Sequence, residues 1–422
     1  MAFMRYKKYD GNSYNIYTIK TDKFKSCIIN VIFRNNLDDV NTLAHLNVLK
    51  SMMVQTNKTY KTRRDLVIKT EELYNASFFA SVHRLGNSYE LDLGTEFINP
   101  YYVKEKNYLD DVLKFNFDMI NNPDVKNDEF NIKMLNIVKE RLILSSESII
   151  ESGPKFSIKR AFQNMDPKSL SSKYMEREDY EKITPTNLYK MYKKIIENSI
   201  CDIYVIGDMD MDEVSEKIKK CFQLKMVKNH NLDLYTENKK RKKIKVVKET
   251  ANYVQANLVV GYNIDSLNEK EKIAFRFFIE IFGGGMNSKL YQNLRVKNSL
   301  CYGVRPIYYK YDNLLFVHVS FDEENYDKAL NLIDVSMKEM KNGKISENEF
   351  DRAKKSLQFS FKMSKDSISS IMDNYIFHNL GEIPILEEYE EKIGDITVED
   401  VIKVAKKVTP NFVYLLGKEG EK

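Results

Sequence analysis

Two stretches of this chain repeat one order of elements, and that repeat limits the fold more than any other feature. Ile183-Thr184-Pro185 opens a helical pattern that feeds the apolar run Ile203-Tyr204-Val205-Ile206-Gly207, and Ile396-Thr397-Val398 opens another that feeds Phe412-Val413-Tyr414-Leu415-Leu416-Gly417. Thr184 with Pro185 reads as a cap followed by proline at the first helical position, where a missing N–H costs nothing. One strand and helix order used twice implies an α+β fold of two similar halves, each an antiparallel or mixed β-sheet covered by helices. At 422 residues, 43 % hydrophobic, the chain is long and apolar enough for two packed cores.

In the first half, residues 14–19 and 27–33 read as strands joined by Thr21-Asp22-Lys23, a hairpin opening a sheet. A second hairpin spans 78–97, with Gly86-Asn87 at the turn and one buried face marked by Tyr89, Leu91 and Leu93. Helical patterns cover 40–53, 63–74, 104–120, 128–147 and 184–198. Asp210 and Glu213 can cap a further helix whose apolar face is Val214, Ile218, Cys221 and Phe222. The N-terminal domain is therefore expected over 1–222. Residues 223–243 are polar and basic, including Lys239-Lys240-Arg241-Lys242-Lys243, and read as a linker entering a strand at 244–247. The C-terminal domain, 244–422, repeats the pattern: a strand at 254–262, helices at 269–282 and 288–296, strands at 302–309 and 314–321, and helices at 325–340, 346–364 and 368–379.

Composition excludes several classes. The net charge, 66 basic against 61 acidic residues or +5, gives no strong footprint for nucleic acid. The 239–243 run alone would carry a nucleic-acid reading, which requires steeply salt-dependent binding, but no aromatic platform is interleaved with it. Cys27, Cys201, Cys221 and Cys301 form no CxxC pair, so buried thiols in a reducing compartment are expected rather than disulfides or a metal knuckle. No stretch approaches the roughly 20 apolar residues that cross a bilayer, and the opening Met-Ala-Phe-Met-Arg-Tyr leads into no long apolar run. A cytoplasmic location without membrane or nucleic-acid partners is the expectation.

The five histidines, His45, His83, His230, His318 and His378, never fall two to a helical turn. A zinc site of the HExxH or HxxEH kind needs two imidazoles on adjacent turns and a carboxylate to deprotonate the bound water, so this chain cannot build one. His45, in Leu43-Ala44-His45-Leu46, reads as a hydrogen-bonded interior or boundary histidine, and His318, beside Val317 and Val319, as a packed strand residue. No GxSxG elbow, phosphate-binding GxxxxGK[ST] or strand-linked GxGxxG is present.

Gly283-Gly284-Gly285 stands between two helical patterns, where glycines can take positive φ and admit a close backbone. It serves equally as a tight turn without a ligand. Downstream lie Arg295, near a helix end, and Tyr302, at the start of the next strand. A guanidinium fork and a phenol can together bind a peptide carbonyl or carboxylate.

The whole stretch 282–304, FGGGMNSKLYQNLRVKNSLCYGV, resembles the second-domain signature of the pitrilysin/insulinase-type zinc peptidases, in the branch of bacterial processing-peptidase-like proteins. Gly284, Ser288, Leu290, Arg295, Leu300 and Tyr302 match that signature residue by residue. The resemblance continues through residues 56–62, Glu72-Leu73-Tyr74-Asn75-Ala76, Tyr204-Val205-Ile206-Gly207-Asp208, Val254-Gln255 and the terminal strand, covering essentially the entire chain. It implies duplicated α+β halves that form half of a clamshell.

The departures are as informative. The inverted zinc motif of active members would fall on His45, Val48 and Leu49 or, shifted by one, on Leu46, Leu49 and Lys50, and the third ligand near Lys139 or Glu140. In both alignments an aliphatic residue replaces the general-base glutamate. An aliphatic side chain neither deprotonates water nor binds metal, so a peptidase mechanism on this chain alone is blocked. The resemblance then implies a catalytically silent subunit with no cofactor of its own, paired with a zinc-bearing paralogue. Arg295 and Tyr302 would hold a peptide or unfolded polypeptide substrate at the partner's site, and the turn Gly283, Gly284, Gly285 would ease its approach. The alternative is an inert homodimeric peptide-binding or scaffold protein of the same fold.

Overall fold

A computed structural model of the chain describes residues 4–11, 13–223 and 231–418. The described residues of Met1–Glu147 and Met175–Leu234 form one unit, and those of Ser148–Tyr174 and Tyr235–Lys422 form a second.

In the first unit, β1 (Met4–Asp10), β2 (Asn15–Thr21), β3 (Ser26–Asn36), β4 (Ser77–Leu85) and β5 (Ser88–Ile98) are followed by a two-stranded ladder, β6 (Val125–Lys126) with β7 (Glu129–Phe130), and then by β8 (Ile200–Gly207). The main sheet runs β1-β2-β8-β3-β5-β4. The hairpin expected over 78–97 is present as β4 and β5, with Gly86 at φ +63° in its turn. The first expected hairpin is not. β2 and β3 are separated by β8, parallel to β2 and antiparallel to β3, while β2 pairs with β1 on its other side. β8 is buried at all but its first residue, as suits a central strand. Residues 22–25 are long enough to step over the roughly 10 Å that two strand spacings occupy.

The helix Val40–Met53 is capped by the Asp39 carboxylate, which accepts from Thr42 N at 3.0 Å. It packs against β4, β5 and the helices Ile132–Glu147, Arg177–Glu181 and Pro185–Asn198. With Leu43, Ala44, Leu46, Val48, Leu49, Met52 and Met53 all buried, it is apolar on most of its circumference.

The second unit holds β9 (Lys245–Ala251), β10 (Ala256–Ile264), β11 (Cys301–Tyr309), β12 (Leu314–Phe321) and β13 (Val408–Lys418), in the order β11-β12-β10-β13-β9. β13 lies parallel to β9 and antiparallel to β10. The first sheet contains the same arrangement as β4-β5-β3-β8-β2, with β1 as an added edge. The repeat seen in sequence is thus one of topology: a capped helix feeds a last strand that inserts between two consecutive strands, β2 and β3 in the first half and β9 and β10 in the second. Thr184 and Thr397 open these helices with reciprocal caps to Asn187 and Asp400.

The helix Gly153–Met165, which the 1–222 domain boundary leaves in the N-terminal half, packs in the second unit. Ala161, Phe162 and Met165 share a core with Val259, Leu314, Phe316, Phe412, Tyr414 and Leu416. Arg160 anchors it through two hydrogen bonds donated to the Glu249 carboxylate on β9, Nε to Oε2 at 2.8 Å and Nη2 to Oε1 at 2.5 Å. Within the expected 223–243 linker, 224–230 lie outside the described residues. Asn231 and Asp233 bond to Asn36 and Asn87 in the first unit, and Thr236 N donates to Tyr311 O in the second. The basic run is partly committed: Lys240 pairs with Asp265 at 2.6 Å, and Arg241 donates to Met165 O. Cys27, Cys201 and Cys301 are buried free thiols, whereas Cys221 is exposed. It is the last residue of the helix Met211–Cys221, just past the turn that buries Ile218. No helix among the described residues is long and apolar enough to cross a membrane.

Candidate functional site

Two places carry the residues singled out in sequence, one in each unit. In the first, His45 is half-buried and its Nδ1 lies 2.7 Å from Asn41 O, one turn back on the same helix. Val48 and Leu49 are fully buried and carry no ligand atom. In the shifted alignment Leu46 is likewise buried, and Lys50 is pushed below the usual lysine range by burial. On the packed helix Ile132–Glu147, Lys139 donates to Glu181 O at 3.0 Å and Ile183 O at 2.9 Å, while Glu140 is exposed. One imidazole and one carboxylate do not fit a tetrahedral zinc ion with an activated water. Among the described residues no group of three or more histidine, cysteine, aspartate or glutamate side chains could hold a metal.

The second place is a surface of the second unit. The helix Glu269–Gly283 ends at the glycine turn, and each glycine has its own local reason. A Cβ on Gly283 would stand 2.2 Å from Pro306 Cδ, and one on Gly284 would stand 2.6 Å from Glu280 Cα. Gly285 takes φ +155° with nothing within 4 Å of the Cβ site. The turn is therefore required by packing at two positions and open at the third. Ser288 closes it, donating from Oγ to Gly285 O at 2.6 Å.

Arg295 lies in a single π-helical turn, Tyr291–Val296, an irregularity frequent at functional sites. Leu290 and Leu294 are fully buried, and Asn293 bonds Ser336 Oγ at 2.9 Å, which fixes that turn on the unit. The chain then reverses through Ser299 at φ +53°, and Leu300 N closes onto Leu294 O at 2.9 Å. Tyr302 follows in β11, an edge strand, where the register with β12 shifts between Cys301 and Val304. The bulge turns the phenol outward, leaving it 85 % exposed. The Arg295 guanidinium sits 4.7 Å from the Tyr302 ring centroid, a cation–π pair on the protein surface. Among the described residues the guanidinium has no hydrogen-bond acceptor. Its donors and the phenol are thus available to a carbonyl or carboxylate.

His318 is a packed strand residue: Nε2 lies 3.1 Å from Asn257 Oδ1, and burial with the nearby Arg305 holds the imidazole down at about 4. Sequence reasoning missed a polar network in the first sheet. Arg34 on β3 is 2 % exposed and donates to Glu90 at 2.6 Å and Asp202 at 2.7 Å. Asp92, one step along the same face of β5, is held well above the usual carboxylate range by burial and by the Glu90 charge. An arginine ending the apolar run Cys27-Ile28-Ile29-Asn30-Val31-Ile32-Phe33 was the available signal.

Residues 182–357, which include the glycine turn, Arg295 and Tyr302, match the family model for the peptidase M16 inactive domain. The chain is an insulinase-like M16 peptidase homologue. This homologue is 26 % identical over 436 aligned positions to YmfF of Bacillus subtilis (strain 168), described as a probable inactive metalloprotease, with all of both chains covered. A solved structure of a conserved protein from Enterococcus faecalis superposes with a TM-score of 0.91 at 23 % identity, over 99 % of each chain. A peptidase M16 inactive domain from Pseudomonas fluorescens superposes with a TM-score of 0.81 at 14 % identity, again over 99 % of each. These two likenesses establish the insulinase-like fold of the homologue, two mixed sheets covered by helices.

Proposed function

We propose that this chain is the non-catalytic subunit of a heterodimeric zinc metallopeptidase, in which a zinc-bearing paralogue supplies the metal and the base. The observation that carries the reading is the Arg295–Tyr302 pair: the guanidinium, from a π-helical turn, lies 4.7 Å from the ring of a tyrosine at an edge-strand bulge and has no hydrogen-bond acceptor among the described residues. With its donors turned to solvent beside an exposed phenol, Arg295 is placed to bind a carbonyl or carboxylate brought to this surface. In the clamshell that two such chains would form, the guanidinium holds a substrate carbonyl. The phenol donates a hydrogen bond to the oxyanion that develops during cleavage at the partner's site. Substrates are peptides or unfolded polypeptide segments, and the assembly works in the cytoplasm.

The test is to express the chain alone, the zinc-bearing paralogue alone, and both together, and to assay cleavage of unstructured peptides by each. The reading requires activity that appears or rises strongly only in the verified heterodimer. Full activity of this chain alone would overturn it. So would a verified heterodimer no more active than the paralogue, while self-association without such a partner would favour an inert homodimeric peptide-binding scaffold.

A further inference from the structure

We propose that the second unit carries a binding site for a small carboxylic acid with an apolar body, in a cleft between the helices Glu269–Gly283, Glu347–Ser364, Ile368–Asn379 and Leu386–Gly394. The cleft has a volume of ≈150 Å³ and is separate from the elements that carry Arg295 and Tyr302. At about 30 Å³ per water molecule this is room for roughly five waters, the bulk of one amino-acid side chain and far less than a nucleotide requires.

Its lining defines the ligand. Ser360, Ser364 and Asn374 bring neutral polar groups, Phe361 and Tyr389 form aromatic walls, and the remaining lining residues are aliphatic except for Arg276. Arg276 is the single charged residue there, and no carboxylate lines the cleft. Its guanidinium stacks 5.3 Å from the Tyr389 ring centroid, and that ring meets Phe361 edge-on at 4.9 Å.

Three acids on the neighbouring segments, Glu382, Glu387 and Glu390, are already engaged, while Glu280, one turn beyond Arg276, lies against Gly284. Glu382, buried near the same helix, is shared by Lys272 at 3.2 Å and Lys310 at 2.7 Å. Tyr375 donates to Glu387 at 2.6 Å, and Glu390 pairs with Lys362 at 3.5 Å and Lys365 at 3.8 Å. Arg276, one turn beyond Lys272, is left without a hydrogen-bond acceptor among the described residues. A planar fork of donors held over an aromatic ring, beside hydroxyls and an apolar floor, recognises a carboxylate attached to a short hydrocarbon. Such a group reaches the cleft either as a free small acid or as the C-terminal residue of a peptide.

Calorimetric titration of the full chain separates these sources with three probes: 4-methylpentanoate, acetyl-Ala-Ala-Leu with a free carboxylate, and the same peptide amidated. At least one carboxylate binds saturably, and the amidated peptide is about tenfold weaker or worse than its acid. Binding of 4-methylpentanoate identifies the free-acid source, and binding of the acid peptide alone identifies the C-terminal one. Arg276→Gln weakens the binding carboxylate about tenfold or more, and Arg276→Lys less than that, because the single ammonium keeps charge but loses the fork. Ser360→Phe, which fills the cleft and leaves Arg276 in place, abolishes binding and keeps the test decisive should Arg276→Gln not fold. Equal binding of acid and amide, unchanged affinity in folded Arg276→Gln or Ser360→Phe, or no saturable binding of either carboxylate overturns the proposal.

Discussion

Gly283 and Gly303 flank the Arg295–Tyr302 pair, and they differ in what an added methyl group would meet. At Gly283 it collides with the rigid ring of Pro306, 2.2 Å away, whereas at Gly303 it finds open space. Gly283→Ala should therefore cost about 1–3 kcal/mol through overpacking, and Gly303→Ala no more than about 0.5 kcal/mol. Urea unfolding of the two variants checks the contrast. His318 makes a pH-dependent prediction. Its folded value of about 4 lies below the roughly 6.5 of an unfolded histidine, so between these values the unfolded chain binds a proton that the native chain refuses. Stability contributed here is present above about pH 6.5 and falls as the pH drops toward 4, by about 2 kcal/mol between pH 7 and pH 5. In His318→Gln that dependence should disappear from the urea midpoints, even though the variant starts from a lower stability.

At the level of elements, the helix Gly153–Met165 is held by a small-residue face, Gly153, Ser157 and Ala161, and by the Arg160–Glu249 pair. Hydrogen bonds from Arg160, Tyr414 and Asn164 hold the Glu249 carboxyl down at about 2. A depressed carboxylate stabilises the fold fully above its unfolded value of about 4.3, and that contribution fades as the pH falls toward 2. Glu249→Gln should cost about 1 kcal/mol after solvent screening and selectively raise amide exchange in residues 153–165. Exchange that rises evenly over the second unit would show that the pair does not anchor this helix. The same helix marks how far local pattern reaches. Ser152 followed by Gly153-Pro154 carries a cap-and-proline signal like the one that exposed the helix after Thr184, yet the sequence reading passed over this helix. Its destination was not legible, because the residues it packs on, Val259, Phe316 and Tyr414, lie far along the chain. The misread first hairpin has the same origin: the strand separating β2 from β3 is supplied from residues 200–207, and turn chemistry at 21–23 carries no trace of it. The repeat was legible because both copies place a capped helix before an apolar strand within one short window. The glycine turn, Arg295 and Tyr302 stood out through a linear motif, whereas the cleft around Arg276 needs four helices to exist.

For the molecule as a whole, the two halves share a topology but carry different candidate residues. In the first half the helix Val40–Met53 sets buried Leu46, Val48 and Leu49 beside His45. The second pairs a half-buried Arg295 with the exposed Tyr302 ring on its surface. If these two act on substrate at a partner's centre, Arg295→Ala and Tyr302→Phe should each lower kcat/KM of the verified heterodimer about tenfold or more. Loss of an exposed cation–π pair costs the fold no more than about 1 kcal/mol, so thermal unfolding of the single chain should barely move. A variant that unfolds instead would make its residue structural. The central claim is that the helix Val40–Met53 can neither hold nor activate a zinc-bound water, and metal analysis of the purified single chain tests it most directly. After incubation with excess zinc and removal of unbound metal, the account predicts only trace zinc, unchanged in His45→Ala. One zinc per chain, lost in His45→Ala, would contradict it.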